Sequence, residues 1–281
     1  MTYKEACAGA IRRLEAAEVP EAKENALLLF EHVCGTKRQD LYLYPERKLS
    51  GDEQTQLEEL VSARIRRIPL QQLTGVQYFM GLEFKVNGSV LIPRQDTEIL
   101  IERVLKDGVK DRRLLDLCTG SGCIPISIVR YGKPSFSAGC DISHDALNTA
   151  RENAGILGAD VLFYEGDLFE ALPGELKGSF DIITANPPYI RSGDIAGLMP
   201  EVRDHEPLGA LDGGADGLVF YRRIADEAGK WLKDGGRIYM EIGFDQASDV
   251  SAIFAGAGYG DIEVIKDYAG MDRVVCVSSA A

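Results

Sequence analysis

Cys-x-x-Cys pairs are absent from this 281-residue chain although it holds six cysteines, and none of its three histidines (His32, His144, His205) stands four residues from another. Thiolate and imidazole metal sites use such spacings. No metal is therefore expected, and Cys7, Cys34, Cys118, Cys123, Cys140 and Cys276 read as reduced thiols in a reducing compartment. Long apolar runs are missing too: nothing approaches the roughly 20 residues of a membrane span. The opening MTYKEACAGAIRRLEAAE has no apolar signal-peptide core, so a cytoplasmic protein with no membrane association is expected. Positive charge is also short, with 31 Lys and Arg against 44 Asp and Glu and a net charge of −13. Residues 1–72 carry 11 basic against 12 acidic groups, and residues 73–281 carry 20 against 32. Neither segment has the basic excess of a protein that neutralises many phosphates, so no stable nucleic-acid complex is expected. Arg64, Arg66 and Arg67 form the one tight basic cluster and read as a solvated helix end.

What is present suits a globular protein with one large core and one small one: 45% hydrophobic and 27% charged residues over 281 positions. The first 72 residues read as helical. Thr2-x-x-Glu5 and Ser50-x-x-Glu53 are capping boxes ahead of amphipathic runs, Pro20 suits the first turn of a second helix, and Gly35 suits its exit. Residues 73–92 read as a β-hairpin linker turning at Asn87-Gly88, the commonest tight-hairpin dipeptide. From 93 to 281 the pattern alternates. Strands are expected at 113–117, 136–140, 160–164, 180–185 and 236–242, and helices at 97–109, 123–131, 144–157, 217–232 and 245–256. That order implies an α/β domain with a parallel sheet covered on both faces. Strands at 261–266 and 273–278 are joined by a short loop and must pair antiparallel. No internal repeat or low-complexity tract interrupts this organisation.

The strand exits carry the chemistry. After the first sheet strand, Cys118-Thr119-Gly120-Ser121-Gly122 forms a glycine loop that can approach a ligand at a helix N-terminus, though Pro125 stands where a full dinucleotide fingerprint has its third glycine. Asp116, Asp141 and Asp167 end three successive strands. Each suits a helix cap, but together beside a glycine loop they mark the crevice where open α/β sheets bind ligands. Asp116 can meet a ligand amino-acid moiety, Asp141 ribose hydroxyls, and Asp167 an adenine amino group. The fourth strand stops at Asn186-Pro187-Pro188-Tyr189. An amide or exocyclic amino nitrogen is a poor nucleophile because its lone pair is delocalised. Two acceptors gripping its hydrogens, the Asn186 side-chain oxygen and the Pro187 carbonyl, can orient it and support developing positive charge. The prolines hold those acceptors in place, and Tyr189 offers a face for stacking. A nucleic-acid amino-methyltransferase gripping a flipped base and a non-catalytic nucleotide-binding module are the competing readings.

On LIPRQDTEIL at 91–100, LLDLCTGSG at 114–122, NPPYI at 186–190 and RDHEPLGALDGGADGL at 203–218, the chain resembles S-adenosylmethionine-dependent methyltransferases with an Asn-Pro-Pro-Tyr motif, and more narrowly the release factor glutamine methyltransferase family. The resemblance covers essentially the whole chain. It implies a seven-stranded Rossmann-like sheet with its last strand antiparallel, joined by the β-hairpin to a small N-terminal helical bundle that recognises the substrate. It also implies S-adenosyl-L-methionine as cofactor and S-adenosyl-L-homocysteine as product, lying over Cys118–Gly122, with Asp141 at the ribose and Asp167-Leu168 at the adenine. Asn186 would touch both cofactor and substrate. The implied partners are peptide chain release factors, methylated by a monomeric enzyme at the glutamine of Gly-Gly-Gln; another protein glutamine, as in a ribosomal protein, and adenine in nucleic acid stay open. Arg94 is a candidate for binding the release-factor backbone, beside Asn186, Pro187, Pro188 and Tyr189. Gln95 and Leu168 depart from the family's commoner proline and tryptophan.

Overall fold

Residues 1–279 are described by a computed structural model of the 281-residue chain. The chain divides into two compact units, one made of residues 1–76 with 199–205, the other of 77–198 with 206 onward.

The first unit opens with α1 (Tyr3–Ala16), α2 (Ala22–Cys34), α3 (Arg38–Leu43), α4 (Gly51–Ile65) and α5 (Leu70–Thr74). Both expected capping boxes form: Thr2 Oγ1 accepts from the Glu5 N–H at 3.2 Å while Glu5 Oε2 accepts from the Thr2 N–H at 2.8 Å, and Ser50 and Glu53 repeat this ahead of α4. Pro20 lies ahead of α2 rather than in its first turn, whereas Gly35 does end it, at φ 59° in the left-handed region. The apolar faces converge on Tyr3, Leu14, Leu29, Phe30 and Val61; the Tyr3 ring meets Phe30 edge-on at 4.8 Å.

Arg64 is not solvated. It is 5% exposed, donating from Nη2 to Glu201 Oε1 at 2.7 Å and from Nε to Asn25 Oδ1 at 2.7 Å. Arg67 Nη2 reaches Glu201 Oε2 at 3.0 Å. The expectation of a solvated helix end fails for Arg64 and Arg67, because the partner carboxylate lies 137 residues from Arg64 in sequence, and holds for Arg66, which is exposed.

The second unit begins with the hairpin of β1 (Val76–Phe79) and β2 (Leu82–Lys85). Its turn is Met80-Gly81, at φ 51° and 71°, the double left-handed geometry of a tight hairpin. Asn87-Gly88 is a separate turn after β2, in which Asn87 Oδ1 accepts from the Ser89 N–H at 2.8 Å. There follow α6 (Asp96–Asp107), β3 (Arg113–Leu117), α7 (Cys123–Gly132), β4 (Phe136–Asp141), α8 (His144–Leu157), β5 (Leu162–Glu165) and β6 (Phe180–Ala185). After α9 (Pro200–Arg203), which belongs to the first unit, come α10 (Val219–Glu227), β7 (Leu232–Glu241), α11 (Ala247–Gly256), β8 (Gly260–Lys266) and β9 (Asp272–Ser278). Helix α10 stops short of the expected 232 because its last turn tightens over Ala228–Lys230 and the chain is extended from Leu232.

The seven strands lie in the order β5-β4-β3-β6-β7-β9-β8. The first five run parallel, and β9 pairs antiparallel with both β7 and β8, as the sequence pattern requires. Side chains alternate between faces. Leu115, Leu117, Ile183 and Ala185 join the core containing residues of α10 and α11, whereas Leu114 and Ile182 join that containing residues of α6 and α7. Asp116 and Thr184, paired in register, therefore face the α6 side, and Asn186 follows Thr184 by two residues. Among the described residues no helix is long and apolar enough to cross a membrane.

Candidate active site

A cavity of about 350 Å³ opens within the sheet unit at the strand exits, a size that suits a small ligand. Its floor is the glycine loop. Cys118, Gly120 and Gly122 all take left-handed φ values, 55°, 53° and 78°, and the Thr119 N–H donates to Cys140 O at 3.0 Å, tying the loop to β4. Asp141 clamps it from the next strand: Oδ2 accepts from the Gly120 N–H at 2.8 Å and Oδ1 from the Ser143 N–H at 2.9 Å. Burial pushes the Asp141 carboxyl up despite these hydrogen bonds. Burial pushes the Cys118 thiol well above the ordinary range, the opposite of the shift that activates a nucleophilic cysteine.

Cys118, Thr119, Gly120 and Ser121 line the cavity. Asp141, Asp167 and Leu168 bound one side, and Asn186, Pro188 and Arg94 another. Four expected site residues stand behind this lining. Asp116 is fully buried, receives the Thr184 hydroxyl at 2.6 Å and is pushed by burial up to about 7. Gly122 sits where a Cβ would come within 2.8 Å of Ile126 Cδ1, so its role is close packing of loop on helix. Pro187 and Tyr189 belong to the turn backing the cavity. Two charged candidates already have partners: Arg94 Nη2 donates to both Glu206 oxygens at 2.7 Å, and Arg223 Nη2 lies 2.9 Å from Asp167 Oδ1. Among the described residues no group of three or more His, Cys, Asp or Glu is placed to hold a metal ion.

The Asn186–Tyr189 turn is locked from two directions. The Ile190 N–H donates to Leu211 O at 3.0 Å, the Gly213 N–H returns to Ile190 O at 2.8 Å, and Gln246 Nε2 donates to Tyr189 O at 3.0 Å. This explains the glycines of the 211–218 segment. A Cβ on Gly217 would fall 2.4 Å from Tyr189 O, and its φ of 74° already disfavours any side chain. Gly217→Ala is therefore expected to destabilise the sheet unit by about 1–3 kcal/mol and to depress any activity of this turn, read by thermal melting beside turnover.

Sequence reasoning missed Glu241. Asn186 Nδ2 donates to Glu241 Oε2 at 2.9 Å, and the Tyr189 hydroxyl lies 3.3 Å from Glu241 Oε1. The β6–β7 register places Ala185 opposite Met240, which sets Glu241 beside Asn186. The available signal was an acidic residue ending an otherwise apolar strand, in YMEIG. Thr97, at the start of α6, was missed likewise; its Oγ1 lies 3.4 Å from Asn186 Nδ2. With Nδ2 directed at these two acceptors, Asn186 Oδ1 has no donor among the described residues. The site is a cavity with the Asn186 amide in its lining.

Residues 5–75 match the PrmC N-terminal domain model and residues 94–199 the methyltransferase small domain model. The chain is 41% identical over 272 residues to the release factor glutamine methyltransferase of Agrobacterium fabrum, covering 94% of this chain and 93% of the relative. The chain belongs to the release factor glutamine methyltransferase family. Another member of this family, from Geobacter sulfurreducens, is 41% identical over 90% of this chain and 89% of its own. Among solved structures, a methyltransferase from Pyrococcus furiosus has a TM-score of 0.55 at 15% identity, over 72% of this chain and 90% of its own, and so shares the fold. Within the release factor glutamine methyltransferase family, the two matched regions fall in the helical and the sheet unit respectively, up to Leu198.

Proposed function

We propose that the chain uses S-adenosyl-L-methionine to methylate the side-chain amide nitrogen, N5, of the glutamine in the Gly-Gly-Gln motif of peptide chain release factors, releasing S-adenosyl-L-homocysteine. The observation that carries this is the Asn186 amide, whose nitrogen is directed at Glu241 and Thr97 so that its oxygen is left for a substrate –NH2. Membership of the family supplies the substrate class.

The residues around the glycine loop fit the cofactor. Thr119 Oγ1, Ser121 Oγ and Asp116 Oδ2 are buried with no hydrogen-bond partner in this structure, and buried polar groups are normally paired. When bound, the cofactor supplies a methyl group on a positively charged sulfur, an electrophile that needs no further activation. The chain's task is alignment. Asn186 Oδ1 and Pro187 O accept from the two hydrogens of the substrate amide, which fixes the direction of its nitrogen and favours the positive charge that grows there. No base is required beforehand, because the amide stays neutral until it attacks; the surplus proton leaves the methylated nitrogen afterwards, to water or a weak acceptor. Leu168 would pack against the adenine, Asp167, which Arg223 pairs, would receive its amino group, and Asp141, which clamps the loop, would hold the ribose as well. The helical unit recognises the release factor, a division supported by a cavity lined wholly from the sheet unit. The enzyme works as a cytoplasmic monomer without stable nucleic-acid binding.

The test is incubation of purified release factor with methyl-labelled cofactor and mass mapping of the product. Label confined to the Gly-Gly-Gln glutamine is expected; label elsewhere, or none, refutes the reading. Asp141→Ala, which removes the loop clamp together with a ribose acceptor, is expected to weaken S-adenosyl-L-homocysteine binding by about 10- to 100-fold in calorimetry, since each buried charged hydrogen bond contributes roughly 1.5–3 kcal/mol.

A further inference from the structure

Glu241 ends β7 and is 1% exposed. Burial pushes its carboxyl up; hydrogen bonds from Thr97 and Tyr189 and the nearby Arg273 favour the anion, and Asp96 opposes it. An acidic side chain in such a place is costly unless it is bonded to something specific. Its two oxygens are divided between the two ends of one turn, Oε2 receiving Asn186 Nδ2 at 2.9 Å and Oε1 facing the Tyr189 hydroxyl at 3.3 Å. Its main-chain carbonyl receives the Tyr221 hydroxyl at 2.8 Å, which fixes the strand end itself.

A primary amide has nearly the same shape when rotated half a turn, so packing alone does not decide which end is oxygen. For Asn186 the two orientations are chemically opposite. One presents an acceptor to a substrate –NH2; the other sets N–H against N–H. A carboxylate only accepts, and Thr97 Oγ1, itself hydrogen-bonded to Glu241, stands 3.4 Å from the same nitrogen. We propose that Glu241 is a positioning residue: its carboxylate holds Nδ2 of Asn186 and thereby turns Oδ1 toward the substrate amide, while its second oxygen braces Tyr189 at the other end of the same turn. Glu241 acts through Asn186 and touches neither reacting atom. This role rests on the methyl-transfer reading of the site.

The experiment is a double-mutant cycle with a spectroscopic arm. Glu241→Met keeps the side-chain length and removes the acceptor; it is expected to lower kcat by about 10- to 100-fold, by analogy with outer-shell partners that orient metal ligands, with S-adenosyl-L-homocysteine affinity unchanged. Glu241→Gln keeps an acceptor oxygen and is expected to restore most of the rate. In an Asn186→Ala background, Glu241→Met should cost far less than in the wild type, because the amide it orients is gone and only its brace on Tyr189 is left to lose. Equal losses in both backgrounds, or wild-type kcat in Glu241→Met, overturn the proposal. The side-chain amide of Asn186, assigned by NMR through its disappearance in Asn186→Ala, should exchange slowly in the wild type and fast in Glu241→Met. An amide exchanging at solvent rate in the wild type overturns the proposal even where Glu241→Met fails to fold. Should the wild type methylate no release factor, the functional reading falls by that result alone, and the NMR arm still decides whether Glu241 orients the amide.

Discussion

Asn186→Ala is expected to reduce methylation of a release factor by about 10²- to 10³-fold, the loss typical of removing one preorganised group that stabilises transition-state charge. The reasoning is differential. In the ground state a neutral amide gains little from an extra acceptor, since water serves nearly as well. As the nitrogen lone pair leaves conjugation to attack carbon, the N–H hydrogens grow more positive and the fixed oxygen gains value without having to reorganise. The loss should therefore fall on kcat, with the substrate KM and S-adenosyl-L-homocysteine affinity changing far less. Asn186→Asp separates charge from geometry: it places a second carboxyl beside buried Glu241, and like charges at that distance force one of them to take up a proton. It is expected to be no better than alanine. Single-turnover kinetics on both variants checks the prediction, and a wild-type rate for Asn186→Ala would remove the acceptor from the mechanism.

Glu201→Leu is expected to destabilise the helical unit by about 3–5 kcal/mol, the cost of stranding a buried charge by deleting its partner. Arg64 has a side chain 6% exposed and would retain only Asn25 and the Ile68 carbonyl as acceptors. Arg67 loses its Glu201 bonds as well. Set against the 5–15 kcal/mol that holds a typical domain, this is a large fraction, and it should appear as a shifted denaturation midpoint. The pH dependence has a defined sign. Burial pushes the Glu201 carboxyl up, but hydrogen bonds from Arg67 and Arg64 outweigh it and leave the group below its ordinary value. Its contribution is thus complete above the unfolded carboxylate pKa of about 4.3 and is lost as pH falls through the lower folded value. Denaturant titration from pH 7 down to about pH 3 should show wild-type stability falling toward that of Glu201→Leu.

How much of this could be read from the sequence depended on the range of the interaction concerned. Capping boxes at Thr2 and Ser50 are three-residue signals and were legible. So were the strands of the sheet, the antiparallel closing pair and the meeting of the glycine loop with Asn186 at one sheet edge, because strand exits in a parallel sheet share an edge. The hairpin turn was misplaced by a sound local rule: Asn87-Gly88 is a tight turn, but Met80-Gly81 adopts the hairpin geometry, with a methionine at φ 51° that no propensity favours. Arg64 looked like surface because Glu201 is remote in sequence. Glu241 was hidden for a related reason. Nothing near YMEIG names Asn186; only the inter-strand register does, and register is a property of the assembled sheet.

The most direct measurement is a crystal structure with S-adenosyl-L-homocysteine and a Gly-Gly-Gln peptide bound together. The glutamine nitrogen should lie within about 3.2 Å of both Asn186 Oδ1 and Pro187 O, with Asn186 Nδ2 still on Glu241 and the cofactor sulfur over the glycine loop. A glutamine nitrogen held by other groups, or an Asn186 amide turned with Nδ2 toward the peptide, would contradict the account.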